Sequence, residues 1–187
     1  RIAIPFALAA MLDPGGATAE TRLSLFAGTL TDNVWEEVVL TPWRTRVQRP
    51  GLVGVALHAR LAFATRAGAF RFEIEAQLVR HFGLQRHWEA TLPVTLRWQP
   101  HRPVLGLVDT LAFGIGPSVA SRRPRFEAQR GAGRAARALI YWHIELEHRT
   151  TPRSSVFGRL HHRSDGFGAL GPAGSSNSLV VGYRRSW

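Results

Sequence analysis

The sequence predicts an all-β protein, an eight-stranded antiparallel transmembrane β-barrel of the outer membrane, from three observations. Segments of about ten residues alternate apolar and polar side chains with period two, the strand periodicity at the length that crosses a bilayer when tilted. Their polar faces carry more charge than the core of a soluble β-sandwich or lipocalin-like barrel tolerates, so the apolar face points outward and the charged face inward. The last segment, Ser178 to Trp187, alternates directly into an aromatic carboxyl terminus, as expected of the strand that closes such a barrel.

The elements follow in order. Ile2 to Leu12 is a short apolar run behind Arg1, and Ala17-Thr18-Ala19 supplies a small-x-small cleavage pattern. Residues 1–19 are therefore expected to be a truncated signal peptide and 20–187 the barrel domain. Strands are expected near 22–30, 52–65, 70–80, 87–98, 104–116, 135–148, 154–164 and 177–187. In the second, Val53, Val55, Leu57, Ala59, Leu61 and Phe63 oppose Gly54, Ala56, His58 and Arg60. In the third, Phe70, Phe72, Ile74, Ala76 and Leu78 oppose Arg71, Glu73, Glu75 and Gln77. The fourth sets Trp88, Ala90, Leu92, Val94, Leu96 and Trp98 against Glu89, Thr91, Thr95 and Arg97, with the two tryptophans placed as an aromatic girdle. The fifth is the least regular, because Asp109 interrupts either face. The sixth sets Ile140, Trp142, Ile144 and Leu146 against Tyr141, His143, Glu145 and Glu147. Connections at 66–69, 99–103 and 149–153 are short, those at 31–51, 117–134 and 165–176 are long, and 81–86 is intermediate. Short periplasmic turns opposite long outer loops are the asymmetry of these barrels.

All 24 basic residues are Arg, the formal charge is +11, and there is no Cys. Disulfides and thiolate metal sites are thereby excluded. The arginines are scattered and no basic helix or zinc pattern accompanies them, which argues against nucleic acid. Inside the barrel, Glu73, Glu75, Glu89, Glu145 and Glu147 are expected to neutralise Arg60, Arg71, Arg97 and Arg159. With eight strands, side chains fill the interior, which disfavours a solute channel.

On the seventh strand Val156, Gly158, Leu160, His162 and Ser164 share the lipid-facing side, while Phe157, Arg159, His161 and Arg163 face the lumen. A polar pair on a lipid face is costly unless it serves something. A Ser beside a His is the start of an ester-hydrolysing apparatus, because the hydroxyl needs a base to become a nucleophile. Gly166 and Gly168 follow as possible backbone donors to an oxyanion.

Across its mature length the chain resembles the outer-membrane lipid A 3-O-deacylase family, notably at Leu30 to Glu37, His87-Trp88-Glu89 and His161-His162-Arg163-Ser164. The resemblance implies an active site on the outside of the barrel, against the outer leaflet, with the family's His-x-Ser falling on His162 and Ser164. The family's third residue, a Glu about a dozen positions later, is replaced by Ser176 and Asn177. Asn177 shares the parity of Leu179, Val181 and Tyr183 and so can orient His162, though an amide gives no charge support. Asp165 points the other way and Glu147 lies at the far end; Asp32, Glu36 and Glu37 are reachable on barrel closure. The expectation is an esterase that removes the 3-linked acyl chain of lipid A in lipopolysaccharide, without metal or cofactor, at the bacterial outer membrane. The competing expectation is a non-catalytic barrel with a structural or surface-interaction role, supported by the missing Glu.

Overall fold

The computed structural model describes residues 21–61, 69–83, 85–171 and 173–187, with the side chains of 49 and 50 left aside. The expected signal peptide and the end of the second expected strand, Phe63 included, lie outside the described residues. The strands are β1 (Thr21–Thr31), β2 (Val47–Arg60), β3 (Phe70–His81), β4 (Trp88–Thr91), β5 (Val94–Trp98), β6 (Thr110–Ala120), β7 (Ala138–Thr151), β8 (Ser154–Ser164) and β9 (Ser176–Ser186). Two short helices, α1 (Trp35–Leu40) and α2 (Arg125–Arg130), sit in connections expected to be loops.

Every strand pairs antiparallel with its neighbours, and β1 pairs with β9 from Arg22↔Ser186 to Thr31↔Asn177, which closes the sheet. β4 and β5 both lie between β3 and β6, so they are two halves of one barrel strand and the barrel has eight. Leu92-Pro93 interrupts it because proline brings no N–H to the ladder. The wall is mended locally: Glu75 N–H donates to the Pro93 carbonyl at 3.0 Å and Leu92 N–H to that of Pro117 at 3.1 Å. Gly116 faces this irregularity, where a Cβ would collide with the Leu92 carbonyl.

The polarity is inside out. Val53, Leu57, Leu78, Val94, Ile115, Leu146 and Val181 are exposed on the outer surface, while Glu75, Arg97, His143, Glu145 and Arg159 are buried within. Four lumenal arginines (Arg22, Arg97, Arg159, Arg184) face four glutamates (Glu73, Glu75, Glu145, Glu147), all buried. Glu145 is the hub: it accepts from Arg97 at 2.9 Å, from Arg159 at 2.5 and 2.9 Å, and from Arg184 at 2.7 and 3.0 Å. Glu73 pairs with Arg22, Glu147 with Arg97 and Arg184, and Glu75 with Arg159. Such burial of charge is tolerable only because each group has an opposite charge beside it.

Two expectations need correction. Arg60 keeps the inward parity of His58 but lies exposed at the strand end, and Arg22 and Arg184 carry balancing charge with Arg97 and Arg159. The fifth barrel strand starts at Thr110, not 104. Val104 and Val108 form an isolated bridge around Leu105 and Gly106, both at positive φ, so the connection expected at 99–103 runs on to Asp109. Asp109 stays out of the strand because its carboxylate accepts from the Arg149 N–H at 2.7 Å and pairs with His148 at 3.1 Å.

Candidate active site on the outer wall

Register brings the predicted residues together. Trp142 on β7 stands opposite His162 on β8, which stands opposite Asn177 on β9, so three outward side chains form a row across the wall near the long connections. His162 Nδ1 lies 2.5 Å from Asn177 Oδ1. The amide is fixed from its other end, because Asn177 Nδ2 donates to the Asn33 carbonyl at 2.8 Å. Oδ1 is therefore the atom turned to the ring, Nδ1 carries the proton, and Nε2 is left as the basic nitrogen. The imidazole stacks on the Trp142 indole at 4.3 Å and 28°.

Outward residues of a barrel meet lipid, yet His162 and Asn177 are buried here. The cover is the β1–β2 connection. Trp35, the first residue of α1, meets Trp142 edge-on at 5.5 Å, and Asn33 holds Asn177. Asn33 is itself anchored, accepting the Arg46 N–H at 2.6 Å and donating to Glu37 at 2.8 Å. Of the three acids reachable on closure, Glu37 is thus engaged with Asn33 and Asp32 with Gln48. Glu36, on the same helix as Trp35, makes neither of these contacts.

Ser164 lies two residues beyond His162 on the same face, part-exposed, and its Oγ accepts from the Gly166 N–H at 3.4 Å. No direct Ser164–His162 hydrogen bond forms among the described residues; catalytic hydrogen bonds often tighten only with substrate present. The Gly166 N–H is thus turned to the Ser164 hydroxyl, and that of Gly168 is taken by Asp165 at 3.1 Å. Asp165 also accepts from Ala173, so it pins its own loop rather than serving His162. Ser176 faces inward and donates to Glu127 of α2 at 2.9 Å. Glu127 also receives two hydrogen bonds from Arg163, at 2.6 and 2.7 Å. Burial nonetheless pushes its carboxyl up to about 7.

Sequence reasoning missed Trp35, Trp142 and Asn33 as parts of this site. Trp142 was legible only as one more outward apolar residue, and its contact with His162 depends on cross-strand register. Toward the opposite end of the same strands, beside the short connections, an apolar groove of about 680 Å³ is lined by Leu107, Leu146, His148, Val156, Gly158 and Val181. Gly158 leaves it open, since nothing lies within 4 Å of where its Cβ would be.

No family model and no curated protein matches the chain by sequence. Among solved structures, the outer membrane enzyme PagL matches with a TM-score of 0.62 at 14% identity, over 88% of this chain and 98% of that one. Neisserial surface protein A matches with a TM-score of 0.50 at 10% identity, over 92% and 99%. The chain is thus similar to an enzyme and to a surface protein alike, and what it shares with both is the fold of the eight-stranded outer-membrane β-barrel.

Proposed function

We propose that this protein is an outer-membrane ester hydrolase that removes the 3-linked acyl chain of lipid A by a Ser/His mechanism. The observation that carries the reading is the 2.5 Å contact of His162 with a doubly held Asn177, two residues from Ser164 on the barrel's outer face. In this reading Nε2 of His162 takes the Ser164 proton as Oγ attacks the ester carbonyl. The Gly166 N–H faces the developing oxyanion. Collapse transfers the acyl group to Ser164 and returns the proton to the departing sugar oxygen; water then releases the fatty acid by the same steps.

His162 lacks the carboxylate that normally stabilises an imidazolium. The Trp142 face offsets part of that loss, being worth about 0.5–2 kcal/mol to a cation. The competing reading, a non-catalytic barrel with a structural or surface-interaction role, draws on the Ser164 hydroxyl resting on Gly166 rather than on His162. Mass spectrometry of lipid A from cells with and without the protein separates the two. Loss of the 3-linked acyl chain only where the protein is present is expected, and identical lipid A profiles would reject the esterase.

Asn177→Glu is expected to raise the rate by on the order of tenfold or more, since a charged partner stabilises the imidazolium that an amide only orients. The same replacement at Ser176 is expected to give no gain, because that side chain faces the lumen beside Glu127. Initial rates of acyl release by the two variants decide the matter, and a faster Ser176→Glu protein would refute the placement.

A further inference from the structure

A second cluster, which the proposed reaction does not use, lies inside the barrel behind the same wall. His81 at the end of β3, His87 in the β3–β4 connection and Glu89 on β4 are buried, and each offers a ligand atom within 4.8 Å of the others. His81 Nε2 is 2.8 Å from Glu89 Oε2, and the His81 and His87 rings lie 4.3 Å apart. His161 on β8 brings its Nε2 to 3.3 Å from the same oxygen, and its Nδ1 is buried with no hydrogen-bond partner. Three imidazoles and a carboxylate converge from three strands and one connection.

These are donors for a first-row transition metal. Imidazole nitrogen and carboxylate oxygen bind zinc at about 2.0–2.2 Å, so two ligand atoms on one ion stand about 3–4 Å apart; His81, His87 and Glu89 come within 4.8 Å of one another, and His161 reaches Glu89 at 3.3 Å as the fourth donor. The carboxylate is already held from behind, with Ser118 donating to Glu89 Oε1 at 2.7 Å while Oε2 faces the histidines. Such an outer hydrogen bond is how metal ligands are usually oriented.

Charge separates this cluster from the other lumenal histidines. His58 and His143 lie 3.6 and 3.9 Å from Glu75, in the half of the lumen where four arginines already match four glutamates. A cation there would meet guanidinium groups. Around His81, by contrast, Glu89 and Glu127 share the single guanidinium of Arg163. That end of the lumen therefore holds two carboxylates to one guanidinium, where the ring of ion pairs around Glu145 is evenly matched.

We propose that His81, His87, Glu89 and His161 form a metal site within the barrel that takes a divalent first-row cation of the zinc class. It ties β3, the β3–β4 connection, β4 and β8 together behind the outer-wall site. It is a structural tie, separate from the hydrolysis, because His161 and His162 point to opposite faces of β8.

The test uses the full barrel without an affinity tag, refolded in detergent, stripped with chelator and titrated at pH 8 with zinc chloride alone. Calorimetry and metal analysis after gel filtration are expected to give one tightly held equivalent. Cobalt in its place is expected to give the visible spectrum of a four-coordinate site. His87→Ala and Glu89→Gln are expected to weaken zinc at least about tenfold, while His148→Ala, at the exposed opposite end, leaves it unchanged. Migration on gels before and after boiling reports whether each barrel is folded. His87 lies outside the strands, so its replacement leaves the wall intact and carries the test even if Glu89→Gln fails to fold. Absence of saturable zinc binding, or equal binding by folded His87→Ala, would overturn the site.

Discussion

Ser164→Ala and His162→Ala are each expected to lower lipid A deacylation by on the order of a thousandfold or more while leaving a folded barrel. The two changes should cost about the same, and the double variant little more, because nucleophile and base act as one unit. Neither side chain enters the lumen, so the ion pairs that hold the barrel are untouched. His161→Ala is expected to retain far more activity, since its side chain is buried on the opposite face, 3.3 Å from Glu89. Acyl release from purified lipid A by folded variants is the measurement. If the Ser164 and His162 variants match the unaltered protein, the chemistry assigned to this wall is wrong and the non-catalytic reading stands.

The second large effect concerns stability. Glu145→Ala removes the acceptor shared by Arg97, Arg159 and Arg184, each of them almost fully buried. Breaking a buried pair from one side costs about 3–5 kcal/mol, because the remaining charge loses its compensation. Glu147 and Glu75 still face these arginines, so a loss toward the low end of that range is expected. Urea unfolding in detergent, followed by the gel shift on boiling, reads it. An outward control, Leu146→Ala on the same strand, is expected to cost clearly less, since its side chain is exposed to detergent or lipid in the fold. Equal midpoints for Glu145→Ala and the unaltered protein would show that the ion network contributes little.

Strand positions were legible because period-two alternation is unusually clean when one face meets lipid and the other is charged. Glu73, Glu75, Arg97 and Glu145 fell on the buried side for that reason, and Ile74, Leu96 and Ile144 on the other. Alternation misleads where it has another origin. Val104 to Val108 reads as the start of a strand but is a tight turn closed on itself. The two helices escaped because each has six residues and lacks a side-chain cap, with Val34 and Pro124 at the capping positions. At the site, parity alone placed His162, Ser164 and Asn177 on one face. The stack on Trp142, the cover by Trp35 and the grouping of His81 with His161 depend on register between strands or on loop packing, neither of which leaves a local trace.

The lumenal ion network also constrains how the molecule comes into being. Arg22 near the start of β1 pairs with Glu73 on β3, and Arg184 near the end of β9 with Glu145 and Glu147 on β7. A hairpin entering hydrocarbon by itself would carry such charges before their partners arrived, at a cost of several kcal/mol each. Piecemeal insertion is therefore blocked by the very residues that secure the finished structure. The cylinder has to be nearly complete, or sheltered by assembly machinery, before its contents leave water.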